Sequence, residues 1–156
     1  MSDVHDAEQT ERALKLWVVL SRAHAAVAAH SQADIARHGL TPAEFGVLEA
    51  LHHKGPLLLG EVQKKILVTS GGVTYLVDRL AARGLVERRR CDRDRRAYYA
   101  ALTPAGDALI GEIFPAHAQA MRNALAGLDE QEKDAAIRLL RTLGRHAAET
   151  DAKGGG

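Results

Sequence analysis

Cysteine occurs once, at Cys91, so no internal disulfide can form and a reducing cytoplasmic setting is expected. Aromatic residues make up 4% of the chain, too few for a platform on which single-stranded bases stack. No apolar run approaches the roughly 18 residues a membrane span needs. The opening MSDVHDAEQTER is acidic and polar, unlike a secretory signal. Enzyme signatures are missing as well: the sequence has no Gly-rich phosphate loop, nucleophile elbow or metal motif. The eight histidines offer no i,i+4 ligand pair, since His52 and His53 are adjacent and His24 and His30 stand six apart. Neither a catalytic centre, a metal nor a cofactor is expected.

Net charge is scarce too, at +1, but its distribution is uneven. Residues 57–104 carry ten Lys or Arg against five acids, and the flanking segments are each mildly acidic. A basic middle of this kind is the footprint of a nucleic-acid contact. The charge peaks in RRRCDRDRR (88–96), with six arginines and two aspartates in nine residues.

What the chain has in abundance is helix punctuation, and the fold class it predicts is mostly α. Thr41-Pro42-Ala43-Glu44 is a capping box with proline at the first helical position, and HHKGP (52–56) ends that helix. Thr103-Pro104 and Asp129 with Glu132 open two more helices, and Pro115 is expected to kink the first of these. Residues 8–30 read as a long first helix with Leu16, Trp17, Leu20, Ala23 and Val27 facing inward. A separate short helix over 31–38 follows, ended by Gly39. In the centre a short helix (60–66), a turn at 68–70 and a second helix through Arg83-Gly84 form a helix-turn-helix. The strand-like segments 85–91 and 97–102 then make a hairpin with the charge cluster at its tip. A helix-turn-helix followed by a basic hairpin is a winged helix.

That geometry assigns the polar residues. The second helix would enter the major groove through Thr69, Ser70, Gly71, Gly72, Thr74 and Tyr75, with Arg79 on phosphate. Gly71 and Gly72 inside a first turn cost about 1 kcal/mol each relative to alanine, which a plain core helix does not explain. At the wing, Arg90, Arg93, Asp94, Arg95 and Arg96 are the DNA candidates. Arg96 would enter the minor groove while held by the Asp94 carboxylate, and Arg93 and Arg95 would serve phosphates.

The run from LTPAEFGVLEALHHKG through LVERRRCDRDRRAYYAALTPAG (40–106) resembles the MarR family of bacterial transcription regulators. The resemblance rests on the Asp-x-Asp-Arg-Arg wing tip, the Gly-Leu-Val-Glu-Arg entry and the Leu-Thr-x-x-Gly exit. It implies a homodimer joined by its long N- and C-terminal helices, with recognition helices roughly 34 Å apart on a pseudopalindromic DNA duplex. On this layout residues 1–150 form a single MarR-type domain. Residues 1–40 and 105–150 are its helical dimerisation region, 41–104 its winged helix, and 151–156 a flexible tail. The pieces LKLWVVLSRAH, PAEFGVLEALHHKG, ILVTSGGVTYLVDRL and IFPAH resemble the subgroup of repressors that respond to hydroquinones, catechols and quinones. The usual aromatic in the first piece is Phe; here it is Trp17.

For a phenolic effector, Trp17, Phe45, Glu49 and His117 are the expected pocket, with His52 and His24 in reserve. Each could equally be a core or surface residue. Cys91 sits among arginines that should lower its pKa, so a thiol sensor for electrophilic quinones stands beside a thiol merely packed in the hairpin. A winged helix used for protein assembly, or a DNA binder without effector, is the remaining alternative.

Overall fold

The computed structural model describes the backbone of residues 2–66 and 70–154 and the side chains of 4–66 and 72–151. In chain order the elements are α1 (Ser2–Arg37), α2 (Pro42–Lys54), β1 (Leu57–Leu58), α3 (Leu59–Ile66), α4 (Ser70–Ala82), β2 (Val86–Arg90), β3 (Tyr98–Leu102), α5 (Pro104–Ala124) and α6 (Glu130–Gly154). Residues up to Met121 form one compact unit and those from Arg122 a second. Among the described residues, no helix is long and apolar enough to cross a membrane.

The winged helix assembles around one core. Leu48, Val62, Val77, Leu80 and Ile110 are fully buried there, drawn from α2, α3, α4 and α5. The helix starts follow the local signals. Glu44 N donates to Thr41 Oγ1 at 3.2 Å while Thr41 N donates to Glu44 Oε1 at 3.1 Å, completing the capping box of α2. At α6 the reciprocal bonds join Asp129 and Glu132 at 2.8 and 2.9 Å. Gly39, Gly55 and Gly84 end α1, α2 and the α4 segment with φ of 72°, 74° and 73°, a region where a side chain would be strained.

The sheet order is β1-β3-β2, all antiparallel. The sequence reading has the β2–β3 hairpin but not β1, whose two residues pair Leu57 with Ala100 and Leu58 with Tyr99. A two-residue strand has no periodicity to detect. With β1 on one side and β2 on the other, β3 is central, and both Ala100 and Ala101 are buried.

Two expectations for the N-terminal region change. The helices read over 8–30 and 31–38 are one, since α1 runs unbroken through Ser31. Ser31 is a weak helix former rather than a stop, and no glycine or proline precedes Gly39 to end the helix. Nor do the expected inward residues all face inward. Leu20 and Val27 are half-buried, whereas Leu16 and Ala23 are exposed and Trp17 is 66% exposed. One chain leaves this apolar side of α1 in water. On the C-terminal unit, α6 likewise exposes Ile137, Leu139, Leu140 and Leu143, and it continues into the segment read as a tail, to Gly154. Pro115 sits inside α5 without ending it.

Candidate functional site

On α4 the apolar stripe and the polar face separate as helical spacing requires. Val73, Val77 and Leu80 are buried, while Thr74, Tyr75 and Arg79 point to solvent. Gly72 is half-buried in the first turn. Thr69 and the side chains of Ser70 and Gly71 lie outside the described residues. Arg79 is held rather than loose. Its Nη1 donates to the Tyr75 hydroxyl at 3.4 Å, its guanidinium carbon lies 5.8 Å from that ring's centroid, and Nη2 is 3.9 Å from Glu44 Oε1.

The wing arginines divide in two. Along the stem, Arg88 pairs with Asp78 at 3.3 Å and lies over the Tyr98 ring at 5.5 Å, so it ties the wing to α4. Arg89 pairs with Glu87 on the same strand at 2.6 Å. Toward the tip, Arg90, Arg93, Arg95 and Arg96 are exposed and have no ion pair among the described residues. Their charge is available to a polyanion.

Asp94 does a different job from the one read in the sequence. Its Oδ1 accepts from the backbone N–H of Arg96 at 2.9 Å, and its carbonyl accepts from Ala97 N–H at 3.0 Å. The carboxylate therefore shapes the turn from which Arg96 projects and does not hold the guanidinium. An Asp that bonds the amide two residues on is a recurrent way to close a tight turn, and it costs less order than fixing a long arginine. Cys91 lies inside the same turn and is buried. The backbone amides of Arg93 and Asp94 and, less, the Tyr99 hydroxyl hold the thiol below its ordinary value of 9.0, against burial and the Asp94 charge, which push it up. Backbone dipoles, not the surrounding guanidinium charges, are the cause.

The exit of the wing explains its residue pattern. Thr103 Oγ1 donates to Gly84 O at 2.6 Å and accepts from Gly106 N at 3.0 Å, capping α5 while stapling it to the end of the α4 segment. Gly106 is needed because a Cβ there would overlap the Leu85 carbonyl.

Of the four effector candidates, the chain brings two together. Phe45 of α2 is buried, and its ring lies 4.5 Å from that of His117 of α5. Asp34 of α1, also buried, completes the group: its Oδ2 is 3.2 Å from His117 Nδ1, and Arg37 donates to Oδ1 at 3.2 Å. Glu49 is half-buried and lines a cavity of about 640 Å³ with Gly46, Ala50, His53, Lys65 and Ile66. Trp17 does not join them within one chain. It stands 17 residues before Asp34 on the same helix, about 25 Å of rise. Of the reserve candidates, His52 pairs with Asp107 at 3.2 Å and His24 is exposed.

Two residues were missed in the sequence. Asp34 is an acid within an apolar stripe beside Ile35, a pattern that signals a buried partner. Glu44 was read only as a cap, although Arg79 on α4 and Arg83, one residue past its end, stand at i,i+4. Burial raises the Glu44 pKa, but bonds from the Thr41 amide and hydroxyl, with Arg79 and Arg83 nearby, outweigh it and leave the carboxyl below its ordinary 4.5.

A helix-turn-helix with an open polar helix face, flanked by a hairpin bearing unpaired arginines, defines a winged-helix DNA-binding protein. The chain belongs to the MarR family. The MarR family model matches residues 38–97. The HTH-type transcriptional regulator MhqR of Bacillus subtilis (strain 168) is 41% identical, the match covering 88% of this chain and 95% of that protein. The structure of Bordetella bronchiseptica BpsR, whose DNA binding is regulated by 6-hydroxynicotinic acid, is 33% identical. It superposes with a TM-score of 0.75, covering 83% of this chain and 98% of that one. Streptomyces coelicolor Sco3205, solved in complex with DNA, shares the fold with a TM-score of 0.79 at 23% identity, over 85% of this chain and 86% of that one. The chain is thus a DNA-binding transcriptional regulator and not an enzyme.

Proposed function

We propose that the chain acts as a homodimeric repressor, released from a pseudopalindromic operator by a small phenolic or quinone-type effector. The observation that carries the effector reading is the meeting of Phe45, His117 and Asp34, where α5, α1 and α2 join beside the winged helix. An aromatic wall next to an imidazole that is itself anchored by a carboxylate can stack on a ring and hydrogen-bond its hydroxyl. BpsR responds to a hydroxylated aromatic acid, which supports the same ligand chemistry here. The dimer reading draws on the exposed apolar residues of α1 and, separately, of α6, which exceed the scattered single residues normal on a monomer. In a dimer, Trp17 could meet the effector site of the other copy.

The test is titration of hydroquinones, catechols and quinones against the protein bound to a duplex that it has selected from a random pool. At least one compound is expected to weaken binding tenfold or more. His117→Ala should keep wild-type DNA affinity but blunt that release at least fivefold, read as the effector concentration for half-dissociation. If no compound weakens the complex, or His117→Ala responds like wild type, the effector site is elsewhere or absent. Sedimentation should give twice the 16.8 kDa chain mass, and a monomer would refute the dimer.

One observation favours a second reading, the amide-stabilised thiol of Cys91 at the wing. Because the thiol is buried, an electrophile must first open the turn. Cys91→Ser is expected to leave release by non-electrophilic catechols unchanged. If it abolishes release by quinones alone, the thiol reading holds for that class; unchanged quinone release removes it.

A further inference from the structure

Glu44 is 1% exposed, and its cap duty does not explain why it is charged. Closing the box with Thr41 needs only an acceptor at this position, which glutamine also supplies. A buried carboxylate is costly unless paired, and its partners here are Arg79 of α4 and Arg83, one residue past that helix's end. Arg83 Nη1 donates to Glu44 Oε2 at 3.2 Å and also reaches the Gly39 carbonyl at 3.4 Å. Arg79 Nη2 lies 3.9 Å from Glu44 Oε1 and, through Nη1, touches the Tyr75 hydroxyl at 3.4 Å. One chain of contacts thus runs from the start of α2, through Arg79, to Tyr75 on the outer face of α4.

We infer that Glu44 is a positioning residue for DNA recognition: its carboxylate, anchored by Arg83, orients the Arg79 guanidinium and through it the Tyr75 side chain. This rests on α4 being the helix that enters the groove. Glu44 itself is covered and touches no DNA. An unheld Arg79 would still attract phosphate, but it would no longer meet one fixed position. The signature of this role is therefore lost discrimination between sequences, with general attraction to DNA preserved.

The experiment compares binding of the full chain to a duplex selected from a random pool by the wild-type protein and to a shuffled duplex of the same composition. Glu44→Gln keeps the cap acceptor and removes the charge. It is expected to weaken binding to the selected duplex about tenfold while the shuffled duplex changes less than twofold. Arg79→Ala should show a similar loss on the selected duplex, and adding Glu44→Gln to it should cost no more than a further twofold. Should Glu44→Gln fail to fold, Arg79→Lys decides on its own. It is exposed and keeps the charge, but lacks the planar fork that can reach Glu44 and Tyr75 together, so its preference for the selected duplex should also fall about tenfold. Wild-type preference in Arg79→Lys, or losses from Glu44→Gln and Arg79→Ala that multiply, would overturn the inference while leaving α4 as the DNA helix. A wild-type chain that selects no duplex would overturn both.

Discussion

Arg96→Ala is expected to weaken operator binding by about 1–3 kcal/mol, roughly five- to 150-fold, with no measurable loss of folding stability. The prediction is clean because of what Arg96 does not do within the chain. Its guanidinium has no ion-pair partner among the described residues, and the turn that presents it is closed through its backbone amide, which alanine retains. Nothing internal is left unsatisfied by the substitution, so the loss falls on the DNA complex. Arg88→Ala offers the contrast: it would orphan Asp78 and uncover the Tyr98 ring, mixing fold and binding effects. Equilibrium titration at two or more salt concentrations separates the possible roles. A phosphate contact lowers the salt slope by about 1 and weakens all sequences alike, whereas minor-groove entry changes which flanking sequences are preferred. Wild-type affinity in Arg96→Ala would remove this arginine from the interface.

The second large effect is on the fold itself. Gly106→Ala is expected to destabilise the chain by about 3 kcal/mol or more and to abolish DNA binding at temperatures where the wild type still binds. Overpacking a well-filled site costs about 1–3 kcal/mol where side chains can yield. Here the obstacle is the Leu85 carbonyl, backbone that already accepts the Thr103 amide at 3.1 Å. Relief requires α5 to move away from the root of the wing, and that breaks the Thr103 bonds to Gly84 and Gly106 as well. Thermal unfolding followed by circular dichroism gives the test. A midpoint within 2 °C of wild type would mean that the wing root is more compliant than its hydrogen bonding implies. Gly111→Ala in the same helix is the control, since a Cβ there meets nothing within 4 Å.

Both predictions concern residues that the sequence marks, but for reasons it conceals. The wing motif Asp-x-Asp-Arg-Arg is readable as a charged tip, and the unpaired arginines agree with that reading. The use of Asp94 is not readable, because whether a carboxylate takes a guanidinium or an amide depends on the path of the turn. The same holds for Cys91, whose neighbours in sequence are arginines but whose neighbours in space are amides. On the effector side, Phe45 and His117 could be listed as candidates but not joined. Seventy-two positions separate them, and their meeting over Asp34 depends on how α1, α2 and α5 cross.

Sequence alone determined the elements whose signals are local: the capping boxes at Thr41 and Asp129, the glycine stops at 39 and 55, and the cationic hairpin. Each depends on residues within one or two turns of one another, where backbone sterics and short-range hydrogen bonds dominate. Tertiary structure alone decided which side of α1 is covered and which is not, that β1 completes the sheet, and that Glu44 faces Arg79 and Arg83. Those outcomes are settled by contacts between distant segments, where burial and charge pairing outweigh local preference.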